Sequence, residues 1–190
     1  MPNTTKAALE ESLKRLLLKK PLDKITITDI TTDCGISRMA FYYHFKDIYD
    51  LVEWSCVEDG TKALQGKKTS ESWTEGLTQI FGAVLENKPF IMNVYRNVDR
   101  ERIENYLFKL TYDLIVGEKS KGLNITEEDK KFIADFYKYG FVGIMLEWIR
   151  EGMKENIEDL VRMMDLTLHD TVTTSIHNFQ KNIMEKNTEI

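Results

Sequence analysis

The sequence predicts an all-α protein, built as an N-terminal three-helix module followed by a larger helical domain. Three observations carry this. Apolar residues recur at helical spacing along nearly the whole chain, and no alternation of period two persists. Only 3 of the 190 residues are proline, which leaves room for long helices and argues against a loop-rich sandwich. A polar stretch rich in Gly, Lys and Ser over 60–72 interrupts the pattern, so a head over 1–62 and a body over 63–190 are expected.

In the head, Leu9, Leu13, Leu16 and Leu17 form one stripe of a first helix, with Thr4 or Thr5 placed to cap it. Pro21 ends it, because the residue before a proline is pushed out of helical geometry. Thr26 with Asp29 reads as a capping box with Asp in place of Glu, opening a short helix over about 27–34. Gly35 supplies the left-handed turn that stops it. Ser37 is placed as N-cap of a second short helix, Arg38 to His44, whose buried face holds Phe41 and then Phe45. Asp47 opens a further helix that carries Ile48, Leu51, Val52 and Val57 toward the core.

The body continues helical. Trp73, Leu77, Ile80, Phe81, Val84 and Leu85 form one amphipathic helix ending near Pro89. Phe90, Ile91, Val94, Tyr95 and Val98 form a shorter one, and Ile103, Leu107, Leu110, Leu114 and Ile115 another, ending at Gly117. After a polar loop over 119–126, Thr126 and the acids Glu127, Glu128 and Asp129 start a long helix reaching about Gly152. A last helix is expected over about 157–183. The long helix is apolar almost all round from Phe141 to Ile149, and a helix with two apolar faces must bury both. Gly140 and Gly143 within it cost about 1 kcal/mol each relative to Ala, which close approach of another backbone would explain. A two-fold homodimer is therefore expected, with Gly140, Gly143, Leu146, Met164, Leu168 and Val172 at its interface, against the alternative of an ordinary monomer core.

Charge and cysteine usage narrow the function. Residues 1–46 hold eight basic and five acidic side chains, a net +3 against −8 for the remainder of the chain, which suits polyanion binding by this first segment. Two cysteines, Cys34 and Cys56, are too few for a disulfide framework, which points to a reduced, cytoplasmic setting. There is no run of about 18 apolar residues for a membrane span, and the first residues do not read as a secretory signal.

The unit of two short helices joined by a glycine turn is a helix-turn-helix, over about 26–45, whose second helix can enter the DNA major groove. Its solvent face carries Ser37, Arg38, Met39, Tyr42 and Tyr43, with His44 at its end and Lys46 just beyond. Three consecutive aromatic or imidazole side chains on a seven-residue helix suit a contact surface better than a small core. Residues 4–57 resemble the DNA-binding domain of the TetR/AcrR family of bacterial regulators. The specific part of the match is the block Phe41-Tyr42-Tyr43-His44-Phe45-Lys46-Asp47, supported by Ile25-Thr26-Ile27-Thr28-Asp29-Ile30 and Cys34-Gly35-Ile36-Ser37.

The resemblance implies that Thr26 and Thr28 hold phosphate, that Ser37, Arg38, Met39 and Tyr43 meet base edges or nearby backbone, and that Tyr42, His44 and Lys46 bind phosphates of double-stranded DNA. The plainer reading makes Thr26 and Ser37 helix caps and His44 a polar helix end. The chain departs from the family at Thr31 and Cys34, where Ala is usual, and at Met39-Ala40, where Gly-Thr is usual. The last pair lies on the reading surface, so an operator sequence cannot be carried over. The resemblance further implies an effector-responsive repressor acting as a homodimer on a palindromic operator. The segments Phe136-Tyr137-Lys138-Tyr139-Gly140-Phe141 and Glu147-Trp148-Ile149-Arg150-Glu151-Gly152-Met153 are similar to the subgroup around the dihydroxyacetone-kinase activator DhaS, which implies instead an activator controlled by a protein partner.

Aromatic side chains concentrate in the body, and Phe81, Tyr95, Tyr106, Tyr112, Phe136, Tyr137 and Trp148 are candidate lining for a small-molecule effector pocket. The plainer reading is that each is core. No catalytic constellation, Gly-rich phosphate loop or cofactor motif stands out. Asp165 and His169 sit at i, i+4, but two ligands on one helix fall short of the three or four a metal site needs. A helical enzyme, and a dimeric interaction protein that has lost DNA binding, remain as readings of another class.

Overall fold

The computed structural model describes residues 2–64, 73–112, 125–168 and 170–188. Among the described residues the chain is helical throughout: α1 (Pro2–Leu17), a single 3-10 turn (Leu22–Lys24), α2 (Ile27–Cys34), α3 (Arg38–His44), α4 (Ile48–Ala63), α5 (Trp73–Glu86), α6 (Lys88–Asn97), α7 (Arg100–Tyr112), α8 (Glu127–Arg150), α9 (Ile157–Leu168) and α10 (Thr171–Thr188). No helix among the described residues is long and apolar enough to cross a membrane.

Local chemistry sets most of the boundaries. Helix α1 starts at Pro2, ahead of the threonines expected to cap it, since proline's fixed φ suits the first turn. Thr26 caps α2 through its Oγ1, which accepts from the Asp29 N–H at 3.1 Å, while the Asp29 carboxylate accepts from the Thr26 N–H at 2.7 Å. Gly35 follows at φ 69°, ψ 23°, and the Ile36 N–H reaches back to the Thr31 carbonyl at 3.0 Å, so the last carbonyls of α2 are satisfied by the turn itself. The same box chemistry opens α8 between Thr126 and Asp129. Helix α8 ends where Gly152 and Met153 both take left-handed conformations, at φ 81° and 56°.

The helix expected over 157–183 is two helices, α9 and α10, with Thr171 starting anew after Leu168. The apolar stripe runs through both, which is why periodicity alone joined them. Leu114, Ile115, Gly117, most of the polar loop over 119–126, most of the 60–72 stretch and His169 lie outside the described residues.

Two compact units form: Met1–Gly60 with Val84–Tyr106, and Thr61–Ala83 with Leu107–Ile190. One boundary lies beside the expected break at 62, but residues 84–106 cluster with the head rather than with the rest of the body. In the first unit Leu9, Leu13, Ile30, Phe41, Leu51 and Val52 are fully buried. Helix α6 lies against α1 and the 3-10 turn, burying Phe90, Val94 and Val98. In the second unit α10 packs on α8, with Ile133, Ala134, Tyr137, Val172 and Ile176 in one cluster. A second patch there joins Phe81 to Phe141 and Trp148, with ring centroids 6.3 and 5.1 Å apart.

Candidate nucleic-acid interface

Helix α1 is the bracket on which α2 rests, and α3 packs in turn against α2. Ser12, fully buried on its apolar face, donates to the Ile30 carbonyl at 3.0 Å. On the rim, Arg15 pairs with Asp33 at 2.7 Å and Lys20 with Asp29 at 2.8 Å. Phe41 is the inward anchor of α3, and Phe45 follows it into a cluster with Trp54, where Lys6 lies 5.4 Å from each of the Phe45 and Trp54 ring centres. A charged junction ties α1 to α4: Lys14 Nζ meets Glu10 at 2.7 Å and Asp59 at 2.6 Å, above the Phe90 ring of α6.

This scaffold turns one face of α3 to solvent. Ser37, Arg38, Met39, Tyr42, Tyr43 and Lys46 are all exposed, and His44 is partly buried with its ring edge-on to Tyr43 at 4.9 Å. Met39 and Tyr43 are each 84% exposed, extreme values for apolar and aromatic side chains. Ser37 Oγ accepts from the Ala40 N–H at 3.2 Å and Thr26 is engaged in its box, so both are caps in fact. Thr28 is exposed on the first turn of α2. Asp47 caps α4 by accepting from the Asp50 N–H at 2.9 Å, and Asp50 in turn accepts from the Lys46 N–H at 2.8 Å. The backbone of Lys46 is thereby pinned at the mouth of α4 while its ammonium stays in water.

The charge pattern of this face follows from who is paired. Lys20 and the Thr26 donors hold the Asp29 carboxyl down to about 2. Asp29 is matched by Lys20 and Asp33 by Arg15, and Asp47 and Asp50 by backbone donors. Arg38 and Lys46 form no ion pair among the described residues. The outer surface of the helix-turn-helix thus presents two uncommitted cations, two phenols and a thioether, a set suited to phosphate and base edges.

Sequence reasoning missed Ser12, Lys14, Glu10 and Asp59. Ser12 sits between Leu9 and Leu13 on the apolar stripe, and that misplaced hydroxyl is the one hint of a buried partner. Its partner Ile30 is 18 residues away and Asp59 is 45 from Lys14, separations that a periodicity argument does not reach.

The body places its candidates as follows. Phe81 is fully buried and Trp148 nearly so, the latter donating from Nε1 to the Glu155 carbonyl at 3.0 Å. Tyr137 is buried with its hydroxyl 2.9 Å from Ser175 Oγ. Phe136 points outward, 68% exposed. Tyr95 and Tyr106 belong to the first unit, where burial pushes the Tyr106 phenol up to about 12. The side chain of Tyr112 lies outside the described residues. Of the candidate interface residues, Leu146, Met164 and Val172 are buried in their own chain and Leu168 is partly so, packed on the α8–α10 cluster. Gly140 is exposed and Gly143 partly so, and a Cβ added at either would meet nothing within 4 Å. The apolar side chains left in solvent lie on the other face, at Phe132, Phe136 and Tyr139 of α8 and Met163 and Leu166 of α9. A doubly apolar helix shows its period in sequence but not which face packs inward.

Residues 71–170 match the TetR_C_8 family, described as a transcriptional regulator C-terminal region. The chain is similar to the uncharacterized HTH-type transcriptional regulator YerO of Bacillus subtilis, 25% identical over 93% of this chain and 71% of that protein. It is also similar to DhaS of Lactococcus lactis, the HTH-type transcriptional activator of the dhaKLM operon, 22% identical over 78% of this chain and 81% of that protein. Among solved structures, the dihydroxyacetone kinase operon activator DhaS superposes with a TM-score of 0.63, at 18% identity, covering 92% of this chain and 97% of that one. A TetR transcriptional regulator from Streptococcus agalactiae superposes with a TM-score of 0.59, at 20% identity, over 90% and 94%.

Proposed function

The chain belongs to the TetR family of transcriptional regulators, and from that premise we propose that it binds duplex DNA as a homodimer, each protomer laying α3 in the major groove of one half of a near-palindromic operator. The observation that carries the reading is the outer face of α3, where Arg38, Tyr42 and Lys46 stand uncommitted while nearby acids are paired or serve as caps. The dimer is supported by the apolar side chains left in solvent, Phe132, Phe136 and Tyr139 on α8 and Met163 and Leu166 on α9. Two-fold symmetry would set the recognition helices about 34–36 Å apart, on successive turns of the groove.

The mode of action we propose is an effector-responsive repressor working in the cytoplasm, the body receiving an apolar or aromatic small molecule. The support for such a ligand is the aromatic composition of the body, Phe81 and Trp148 themselves packing as buried core. The likeness to DhaS favours a second reading, an activator answering to a protein partner. Deleting the gene and measuring transcripts beside its binding sites separates the two, since loss of a repressor raises them and loss of an activator lowers them. A thermal-shift screen of metabolites tests the small-molecule effector.

DNA binding is tested by fluorescence anisotropy on duplexes selected from a random pool, at several salt concentrations. Lys46→Ala should weaken all sequences alike and lower the salt slope by about one. Arg38→Ala should flatten preference at one position per half-site, a guanidinium gripping guanine being worth about 1–3 kcal/mol of discrimination. Tyr42→Phe keeps the ring and removes the hydroxyl, so weakened binding identifies a phosphate bond. A wild-type protein with no preference for any duplex over random DNA defeats the reading.

A further inference from the structure

We propose that Met39 is a specificity determinant that reads the 5-methyl group of a thymine in each operator half-site, with Tyr43 completing the apolar contact. The inference rests on the DNA-binding reading above and adds the chemistry of the base that is read.

The geometry of α3 isolates this residue. Phe41 turns inward and is fully buried, so the opposite arc of the helix faces out. Side chains four apart share a ridge, which makes two outward ridges, Arg38 with Tyr42 and Met39 with Tyr43. At 100° per residue, Met39 falls near the centre of the exposed arc, flanked by the other three. Met39 and Tyr43 are both 84% exposed, and Tyr42 is 52% exposed, so apolar surface is concentrated on one side of a seven-residue helix. Among the described residues of the first compact unit, none covers that patch.

Chemistry then selects the partner. A thioether donates no hydrogen bond and accepts only weakly. Every base edge in the major groove offers donors or acceptors, and thymine alone among the four bases adds an apolar group, the 5-methyl. A flexible, polarizable side chain at the centre of the reading arc gains by covering that methyl and gains little from any other edge. The hydrogen-bonding readout falls to Arg38 on the adjacent ridge, so one thymine and one neighbouring polar contact are expected in each half-site.

The test uses the full-length protein and its selected operator, with each thymine replaced in turn by deoxyuridine, which deletes one methyl and leaves the base pair intact. Affinity is read by fluorescence anisotropy at fixed salt. At one position per half-site the wild type should lose roughly fourfold per methyl removed. Met39→Ala should bind the thymine and uracil forms equally at that position. Introducing cytosine and 5-methylcytosine there should give the wild type, but not Met39→Ala, a preference for the methylated base. The substitution lies on an exposed helix surface and installs a stronger helix former, and circular dichroism confirms that the helices persist. Uniform tolerance of deoxyuridine by the wild type, or a loss that Met39→Ala leaves unchanged, overturns the methyl reading while operator preference stands. Absence of any duplex preference overturns the DNA-binding reading and this inference with it.

Discussion

Gly35 offers a test of how the turn between α2 and α3 is held. Its backbone sits at φ 69°, ψ 23°, and a Cβ built there meets nothing within 4 Å. The effect of a substitution is therefore a backbone effect, free of clashes. A non-glycine residue in the left-handed region costs roughly 1–2 kcal/mol. Removing glycine also narrows the unfolded ensemble, which returns about 0.4–1 kcal/mol. Gly35→Ala should thus destabilise by about 1 kcal/mol net. Gly35→Asn should cost less, because Asn tolerates this region, and Gly35→Val more, because a β-branched residue at positive φ is an outlier. In urea unfolding with a slope of about 1–3 kcal/mol/M, the alanine variant should shift its midpoint down by roughly 0.3–1 M. DNA affinity should hold at low temperature, where the head stays folded, and fall on warming before that of the wild type. An alanine variant as stable as the wild type, or an order in which valine outranks asparagine, would refute the argument that backbone conformation selects glycine here.

Gly143→Arg places a charge and a long side chain on the proposed dimer face, and sedimentation at micromolar concentration should show monomer where the wild type is a dimer; a monomeric wild type sinks the dimer itself. Lys14→Met keeps the aliphatic stem over Phe90 but leaves Glu10 and Asp59 together with their cation gone, at a cost of about 1–3 kcal/mol in chemical unfolding; adding Asp59→Asn should recover part of that cost. The Lys14 ammonium is raised despite burial, by its bonds to Asp59 and Glu10, so the junction's contribution is complete below the ordinary lysine range and is lost as pH climbs through the raised value. Asp29 has the opposite sign: held at about 2 by Lys20 and Thr26, it contributes stability above the ordinary carboxylate value of about 3.9 that disappears as pH falls through 2, so wild type and Asp29→Asn should converge in acid unfolding there.

Much of the head was legible in the sequence because its elements are defined by contacts within a few residues. The Thr26–Asp29 box, the Gly35 stop, the Ser37 cap and the inward Phe41 all act over one to four positions, and each stands where the pattern put it. The outward set of α3 follows from the same arithmetic, since fixing Phe41 inward fixes Arg38, Met39, Tyr42 and Tyr43 outward. The sequence by itself therefore determined the helices, the turn and the composition of the reading face. Tertiary structure decided what depends on partners far along the chain. It joined 84–106 to the head, broke the last helix near Leu168, buried Ser12 against Ile30 and closed Lys14 on Asp59. It also chose which face of α8 packs inward, sending Leu146 to the core and leaving Phe132, Phe136 and Tyr139 outside. A hydrophobic period records that a face is apolar, whereas its burial is a property of the surface it meets, and that surface is built by the rest of the chain.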